Sequence, residues 1–395
     1  MSFEHTNNGR DYSEMARPGE SRTDPAEIAD RLQRWLRTKL PADVEPAVTD
    51  VQVPDANGMS SETILFDVLW HEDGEIRRHG LVARIAPAPS AVPVFPSYDM
   101  DQQYQVIKTV GILSSVPVPR VHWSETSPAA LGGEFFVMDR VDGQIPPDVM
   151  PYTFGSWLSE ASPADRRRLQ DSSVRVLAEL HSIPEPAQLF PALSPDPGSD
   201  DVTADAALCA HVNRLHRYYE WVVETTPRSP LIERGLEWLD EHWPTVTGPA
   251  VLCWGDARVG NIIYRDFEPV AVLDWEMATL GPRELDLGWM VFLHRFFEDL
   301  AGVAGLPGLP DFLRRDDVAE TYRNLTGYST TDLDFFTLYA ALRHAIIMFR
   351  VQSRAVAFGQ AEAPDDPDDM ILHRTTLERM LDGTYWNGPN EKGVA

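Results

Sequence analysis

The stretch whose reading decides the fold is Cys253-Trp254-Gly255-Asp256-Ala257-Arg258-Val259-Gly260-Asn261, continued through an apolar run to Asp274-Trp275-Glu276. A first Asp is followed five residues later by an Asn, and a second Asp closes what reads as a strand. Pro249-Ala250-Val251-Leu252 leads in as a short apolar strand. Asn261-Ile262-Ile263-Tyr264 and Val270-Ala271-Val272-Leu273 form a hairpin around Arg265-Asp266-Phe267-Glu268-Pro269. Asp256 is therefore expected on a loop and Asp274 at a strand end.

This spacing is the one by which kinase-like folds gather three polar groups at the γ-phosphate of a nucleotide. The first Asp meets the acceptor hydroxyl, and the Asn and second Asp offer the hard oxygen ligands that Mg²⁺ prefers. Downstream, Gly281-Pro282 breaks the chain before Arg283-Glu284-Leu285-Asp286-Leu287-Gly288-Trp289-Met290, a buried helix with one internal carboxylate. With these motifs the chain resembles the aminoglycoside phosphotransferase and choline kinase superfamily, and within it the branch fused to acyl-CoA dehydrogenases. The resemblance runs from about Asp24 to the end and is strongest from Val251 to Met290.

The resemblance implies an α+β, two-lobed, protein-kinase-like fold. A small antiparallel-sheet lobe over 24–142 would precede a large, mainly helical lobe over 143–395, with the catalytic loop at 251–290. Asp256 would be the catalytic Asp, Asn261 and Asp274 the magnesium ligands, and Asp286 the carboxylate that braces the loop. Arg258 stands where protein kinases place a Lys against the transferring phosphoryl group, and a guanidinium there would neutralise developing charge. Two positions depart from the family pattern. Trp254 replaces the usual His, and Pro282-Arg283 replaces the usual Asp-Pro.

The first 23 residues are polar and are expected to be a disordered tail. Order should begin at Asp24-Pro25-Ala26-Glu27, a capped helix start, with Ile28, Leu32, Trp35, Leu36 and Leu40 as one apolar stripe. Val48 to Val53 and Glu62 to Trp70 read as strands around a small-residue loop whose backbone N–H groups would cover phosphates. Gly58-Met59-Ser60-Ser61-Glu62-Thr63 resembles the loop of the acyl-CoA-dehydrogenase-linked branch, which points to Ser60, Ser61 and Thr63 as nucleotide contacts. In Leu81-Val82-Ala83-Arg84-Ile85, Arg84 takes the place of the cation for the α and β phosphates. The helix opened by Asp99 would orient it through Gln103, with Asp99 or Asp101 supplying the ionic part. Phe135 to Gly143 would be the hinge, presenting Met138, Asp139 and Val141 to the purine edge.

After Gly143 the pattern is helical. His181 reads as a satisfied interior histidine, and the acidic segment 363–369 as a solvated linker. The resemblance assigns the acceptor pocket to a helical insertion at 185–248 and to C-terminal helices at 310–395. The stripe Phe336, Tyr339, Leu342, His344 and Phe349 reads as core before pocket; an aromatic lining would suit an apolar or planar acceptor better than a polyamine sugar.

Length and charge agree. A chain of 395 residues accommodates two lobes, and a net charge of −27 argues against nucleic acid or an anionic membrane as partner. Two cysteines cannot build a disulfide framework, which fits a cytoplasmic protein. Phosphate-loop, zinc-hydrolase and serine-elbow motifs are absent. The expectation is a Mg²⁺-dependent kinase passing the γ-phosphoryl of ATP or GTP to a small-molecule hydroxyl. A hydroxyacyl-CoA kinase of the same fold, or a nucleotide-binding pseudokinase suggested by Trp254, Gln103 and Pro282, stand as alternatives.

Overall fold

The computed structural model describes residues 24–54, 61–72, 74–87, 92–196 and 202–387. The N-terminal tail and most of the loop ahead of β2, Ser60 included, lie outside them. Helix α1 (Pro25–Leu36) starts as its sequence dictates: Asp24 Oδ1 accepts from Ala26 N at 2.9 Å, and Pro25 fills the first turn. The strands β1 (Ala47–Gln52), β2 (Glu62–Glu72), β3 (Glu75–Ile85), β4 (Val121–Glu125) and β5 (Phe135–Asp139) form an antiparallel sheet in the order β1-β2-β3-β5-β4.

The period of two along these strands sorts the sheet into a structural face and a ligand face. Ile64, Phe66, Leu81, Ala83, Phe135 and Val137 point to one side, where Ile28, Leu32, Trp35 and Leu36 of α1 cover them. Each such burial contributes roughly 1.5–3 kcal/mol, so α1 holds one side of the sheet shut. The other face is set by register: Thr63 pairs with Arg84 and Arg84 with Phe136, while Leu65 pairs with Val82 and Val82 with Met138. These six residues line a cleft, closed further by Gln103 and Ile107 of α2 (Met100–Leu113).

The rest of the chain is mostly helical: α3 (Pro163–Leu180), α4 (Pro186–Leu189), α5 (Ala204–Val223), α6 (Pro230–Glu241), α7 (Glu284–Val303), α8 (Arg315–Thr326), α9 (Leu333–Ala357) and α10 (Arg374–Leu381). Two short pairs interrupt it, β6 (Val251–Cys253) with β9 (Thr279–Gly281) and β7 (Ile262–Arg265) with β8 (Glu268–Val272). Helices α7 and α9 form the central contact. Gly288 permits it, because a Cβ there would stand 2.7 Å from the Phe336 carbonyl carbon and oxygen. Phe336, Tyr339, Leu342 and Phe349 of α9 are core, as their spacing predicts.

One expectation fails here. The acidic segment 363–369 is not a wholly solvated linker: Asp368 is buried and accepts from Ser229 Oγ at 2.5 Å and Leu231 N at 3.3 Å, at the start of α6. A carboxylate capping a distant helix N-terminus gains from the exposed N–H groups there, but its partner lies over a hundred residues away, and local sequence carries no sign of it. Among the described residues no helix is long and apolar enough to cross a membrane.

Candidate active site

The loop between β6 and β7 is fixed from beneath. Asp286, fully buried in the first turn of α7, accepts from Trp254 N at 2.7 Å and Gly255 N at 2.8 Å, one bond on each oxygen. His181 Nε2 stands 3.1 Å from the same carboxylate, with Nδ1 2.9 Å from the Tyr322 hydroxyl, which makes it a satisfied interior histidine. Cys253 joins His181 and Asp286 within 4.8 Å. That cluster reads as structural, since both Asp286 oxygens are engaged and Cys253 Sγ lies 3.4 Å from Pro282 O as a donor. Burial pushes the Cys253 thiol well above its usual range, so it stays protonated.

Gly255 has φ +88°, and a Cβ there would fall 2.0 Å from the Met277 carbonyl oxygen. The turn thus requires glycine, and it carries Asp256 out of the core and into a cavity. Asp256 Oδ1 accepts from Trp289 Nε1 at 2.7 Å; Oδ2 accepts from Asn261 Nδ2 at 2.7 Å and Arg258 Nε at 3.2 Å. Asp286 and Trp289 are three residues apart on α7 and so share a face. One carboxylate holds the loop backbone while the indole three residues on holds the carboxylate that the loop presents.

Asn261 spends its amide nitrogen on Asp256, which leaves its side-chain oxygen directed elsewhere and available to a cation. Asp274, at φ +54° after β8, pairs with Arg84 Nη2 at 2.7 Å. Arg84 Nη1 donates to Thr63 Oγ1 at 2.9 Å, across the register pair of β2 and β3. The Asn261 side-chain oxygen and the Asp274 carboxylate are both hard oxygen groups of the kind Mg²⁺ prefers, and Asp274 lies in the region where Arg84 now neutralises it.

The expected orientation of Arg84 from α2 is corrected. Gln103 Nε2 donates to Met100 Sδ at 3.7 Å, Asp99 caps α2 through Gln102 N at 2.7 Å, and Asp101 accepts from Ser124 Oγ at 2.7 Å. Both carboxylates have nearer local donors, so the ionic partner of Arg84 comes from across the cleft.

Two cavities meet at this point. The cleft under the sheet, about 340 Å³, is walled by Leu65, Val82, Ile107, Phe136, Met138 and Val272 and runs to Asp139 and Val141. There Asp139 N and Arg140 N are bonded to Arg120 O and Gly80 O, each at 2.9 Å. The Val141 N–H has no partner among the described residues. A second cavity, about 190 Å³, contains Asp256, Arg258 and Glu276 at one side and Leu293, Phe296 and Met348 at the other. Arg84 and Asp274 line both.

A model of the phosphotransferase enzyme family matches residues 61–316, a span that holds the sheet cleft, the loop and the Asp286 helix. The chain belongs to that family. Among curated proteins it is 28% identical over 303 residues to chicken (Gallus gallus) acyl-CoA dehydrogenase family member 11, covering 73% of this chain and 36% of that protein. It is 22% identical over 322 residues to the probable acyl-CoA dehydrogenase IBR3 of Arabidopsis thaliana, covering 75% and 35%. The chain thus spans about a third of the length of these relatives.

Among solved structures, a putative aminoglycoside phosphotransferase from Ralstonia eutropha superposes with TM-score 0.61 at 21% identity, over 91% of this chain and 98% of that one. A thermostable mutant of aminoglycoside phosphotransferase APH(4)-Ia, in ternary complex with AMP-PNP and hygromycin B, gives 0.53 at 14% identity, over 93% and 100%. At these identities the likeness establishes the fold.

The phosphotransferase-family departure at Trp254 has a structural counterpart. Its indole Nε1 donates to Leu273 O at 2.8 Å and Asp274 O at 3.2 Å, tying the catalytic loop to the strand end that carries Asp274. Trp254→Phe keeps the packing and removes that tie. Its expected cost is about 1 kcal/mol of stability; the urea midpoint of the variant beside wild type checks it.

Two features of this phosphotransferase-family site were not read from the sequence. Arg258 Nη1 is paired with Asp148. Burial works against the Arg258 charge, but Asp148 and Asp256 more than offset it and raise its pKa. Trp289 is the other. Its spacing from Asp286 was a usable signal, whereas Asp148 lies on a proline-rich connection with no periodicity to mark it. The insertion at 185–248 contributes no described side chain to the second cavity. Its Tyr218 instead supports the wall from behind by donating to Val94 O at 2.9 Å.

Proposed function

We propose that this chain is a Mg²⁺-dependent small-molecule kinase that transfers the γ-phosphoryl group of ATP or GTP to an acceptor hydroxyl. The observation that carries the reading is the meeting of two cavities at Arg84 and Asp274, with Asp256 facing the second. A donor nucleotide in the sheet cleft and an alcohol in the second cavity would have their reacting atoms on opposite sides of one shared border, the arrangement that in-line transfer needs.

In this reading Val141 N–H meets the purine edge beside Met138 and Asp139, and Ser61 and Thr63 lie toward the phosphates. Arg84 exchanges Asp274 for phosphate oxygens, which a guanidinium binds in a forked geometry. Asn261 and Asp274 would hold Mg²⁺, which when bound neutralises phosphate charge. Asp256, held by Trp289 and Asn261, orients the acceptor hydroxyl and takes its proton as the oxygen bonds to the γ-phosphorus, while the bond from that phosphorus to the β–γ bridging oxygen breaks and the nucleoside diphosphate leaves with the electron pair. Arg258, steadied by Asp148, balances charge on the transferring group.

The intact second cavity with its carboxylate supports transfer over a pseudokinase role. Its apolar wall favours an acyl-type or planar acceptor, including the hydroxyacyl-CoA reading, over a polycationic sugar. The test is nucleotide consumption with ATP and GTP against aminoglycosides, choline-like amines and hydroxyacyl-CoAs. Asp274→Ala is expected to remove Mg²⁺-dependent turnover while the unfolding midpoint stays near wild type, because Asp274 is partly exposed and its ion partner Arg84 retains Thr63. Wild-type rates in that variant would refute the metal assignment.

A further inference from the structure

The second cavity carries its charged lining, Arg84, Asp148, Asp256, Arg258, Asp274 and Glu276, outside α7 and α9. Its far wall comes from α7 and α9, and among the described lining residues these two helices contribute one imidazole, His344, beside Trp289, Leu293, Phe296, Ile347 and Met348. The state of that imidazole follows from its neighbours. His373 Nε2 lies 2.8 Å from Ala341 O. A carbonyl only accepts, so Nε2 carries the proton and Nδ1 of the neutral His373 ring is an acceptor. His344 Nδ1 lies 3.4 Å from that Nδ1, and must therefore donate to it. The proton on His344 is thus placed on Nδ1, and Nε2 keeps its lone pair with no partner among the described residues.

Both rings stay neutral near pH 7. Burial, His373 and Arg258 push His344 well below the ordinary histidine range, and burial lowers His373 to about 4. A neutral, buried acceptor on an apolar wall selects a donor, because a ligand without one leaves it desolvated and unpaired.

We infer that His344 Nε2 is a specificity-determining hydrogen-bond acceptor, and that the portion of the acceptor molecule held in this cavity is uncharged, largely apolar, and carries a donor group besides the reacting hydroxyl. The inference rests on the proposed kinase reading for the direction of transfer, but its binding half stands apart from turnover. The α7–α9 wall offers a cationic amine no counter-charge, and the carboxylates Asp148, Asp256 and Asp274 elsewhere in the cavity are paired with Arg258 and Arg84. A purely apolar alcohol leaves His344 unsatisfied.

The test is equilibrium binding of octanediol and octanol to the full chain without nucleotide or Mg²⁺. Wild type, His344→Phe and His344→Gln are compared, the last keeping an amide oxygen near the place of Nε2. The preference for the diol over the alcohol is expected to fall about tenfold in His344→Phe and to persist in His344→Gln, which also shows that the pocket still forms. An unchanged preference in His344→Phe, a preference lost equally in both variants, or no binding of either alcohol to wild type overturns the inference. Turnover of bound diol with Mg²⁺ and ATP is measured separately; its absence beside the expected binding pattern counts against phosphoryl transfer and leaves the assignment of His344 in place.

Discussion

Asp256→Asn is expected to lower phosphoryl transfer to a hydroxyl acceptor by roughly 10²–10⁴-fold, with nucleotide binding unchanged. The amide keeps nearly the carboxylate's shape, but its nitrogen must face donors, either Trp289 Nε1 or Asn261 Nδ2 and Arg258 Nε, so one side of that network is lost while Asp286 still holds the loop backbone. What it removes, on the proposed reading, is the negative charge that would orient the hydroxyl and the basic oxygen that would take its proton. Asp256 lines the second cavity and not the sheet cleft, which is why nucleotide affinity should not move. Single-turnover transfer alongside nucleotide titration separates the two quantities. An unchanged rate would remove Asp256 from the chemistry, and a parallel loss of nucleotide binding would mean that the two cavities are not independent.

The largest effect on stability is expected at Asp286. Asp286→Ala strips the acceptor from two buried backbone N–H groups, at Trp254 and Gly255, and from His181. Breaking a buried charged network by removing one member costs roughly 3–5 kcal/mol, a large share of the ~5–15 kcal/mol that holds a domain folded. Urea denaturation should show a matching drop in midpoint. Activity should fall further than stability alone accounts for, since the orphaned amides belong to the turn that presents Asp256. Wild-type stability in this variant would show that the loop is braced by some other contact.

Parts of this site were legible because they are local. Asp256 and Asn261 are five residues apart on one loop, and their hydrogen bond follows from that loop's own geometry. The cap at Asp24, the stripe of α1 and the alternation that turns Val82 and Arg84 to one face are likewise encoded over a few residues. The partner of Arg84 was not. Sequence offered Gln103, Asp99 and Asp101 on the nearest helix, whereas the chain brings Asp274 to it from 190 residues away. The solvated reading of 363–369 failed for the same reason at Asp368.

The amino-acid sequence by itself determined the order of the elements, the family of the chain and the loop that carries Asp256, because periodicity, caps and the Asp-to-Asn spacing act over short range. Only the tertiary structure decided which groups share a cavity. It joined Arg84 to Asp274, Trp289 to Asp256, Arg258 to Asp148 and His344 to His373. Side-chain ion pairs and hydrogen bonds depend on where distant backbones come to rest, and burial of α1 and of the α7–α9 contact, a global quantity, sets those positions.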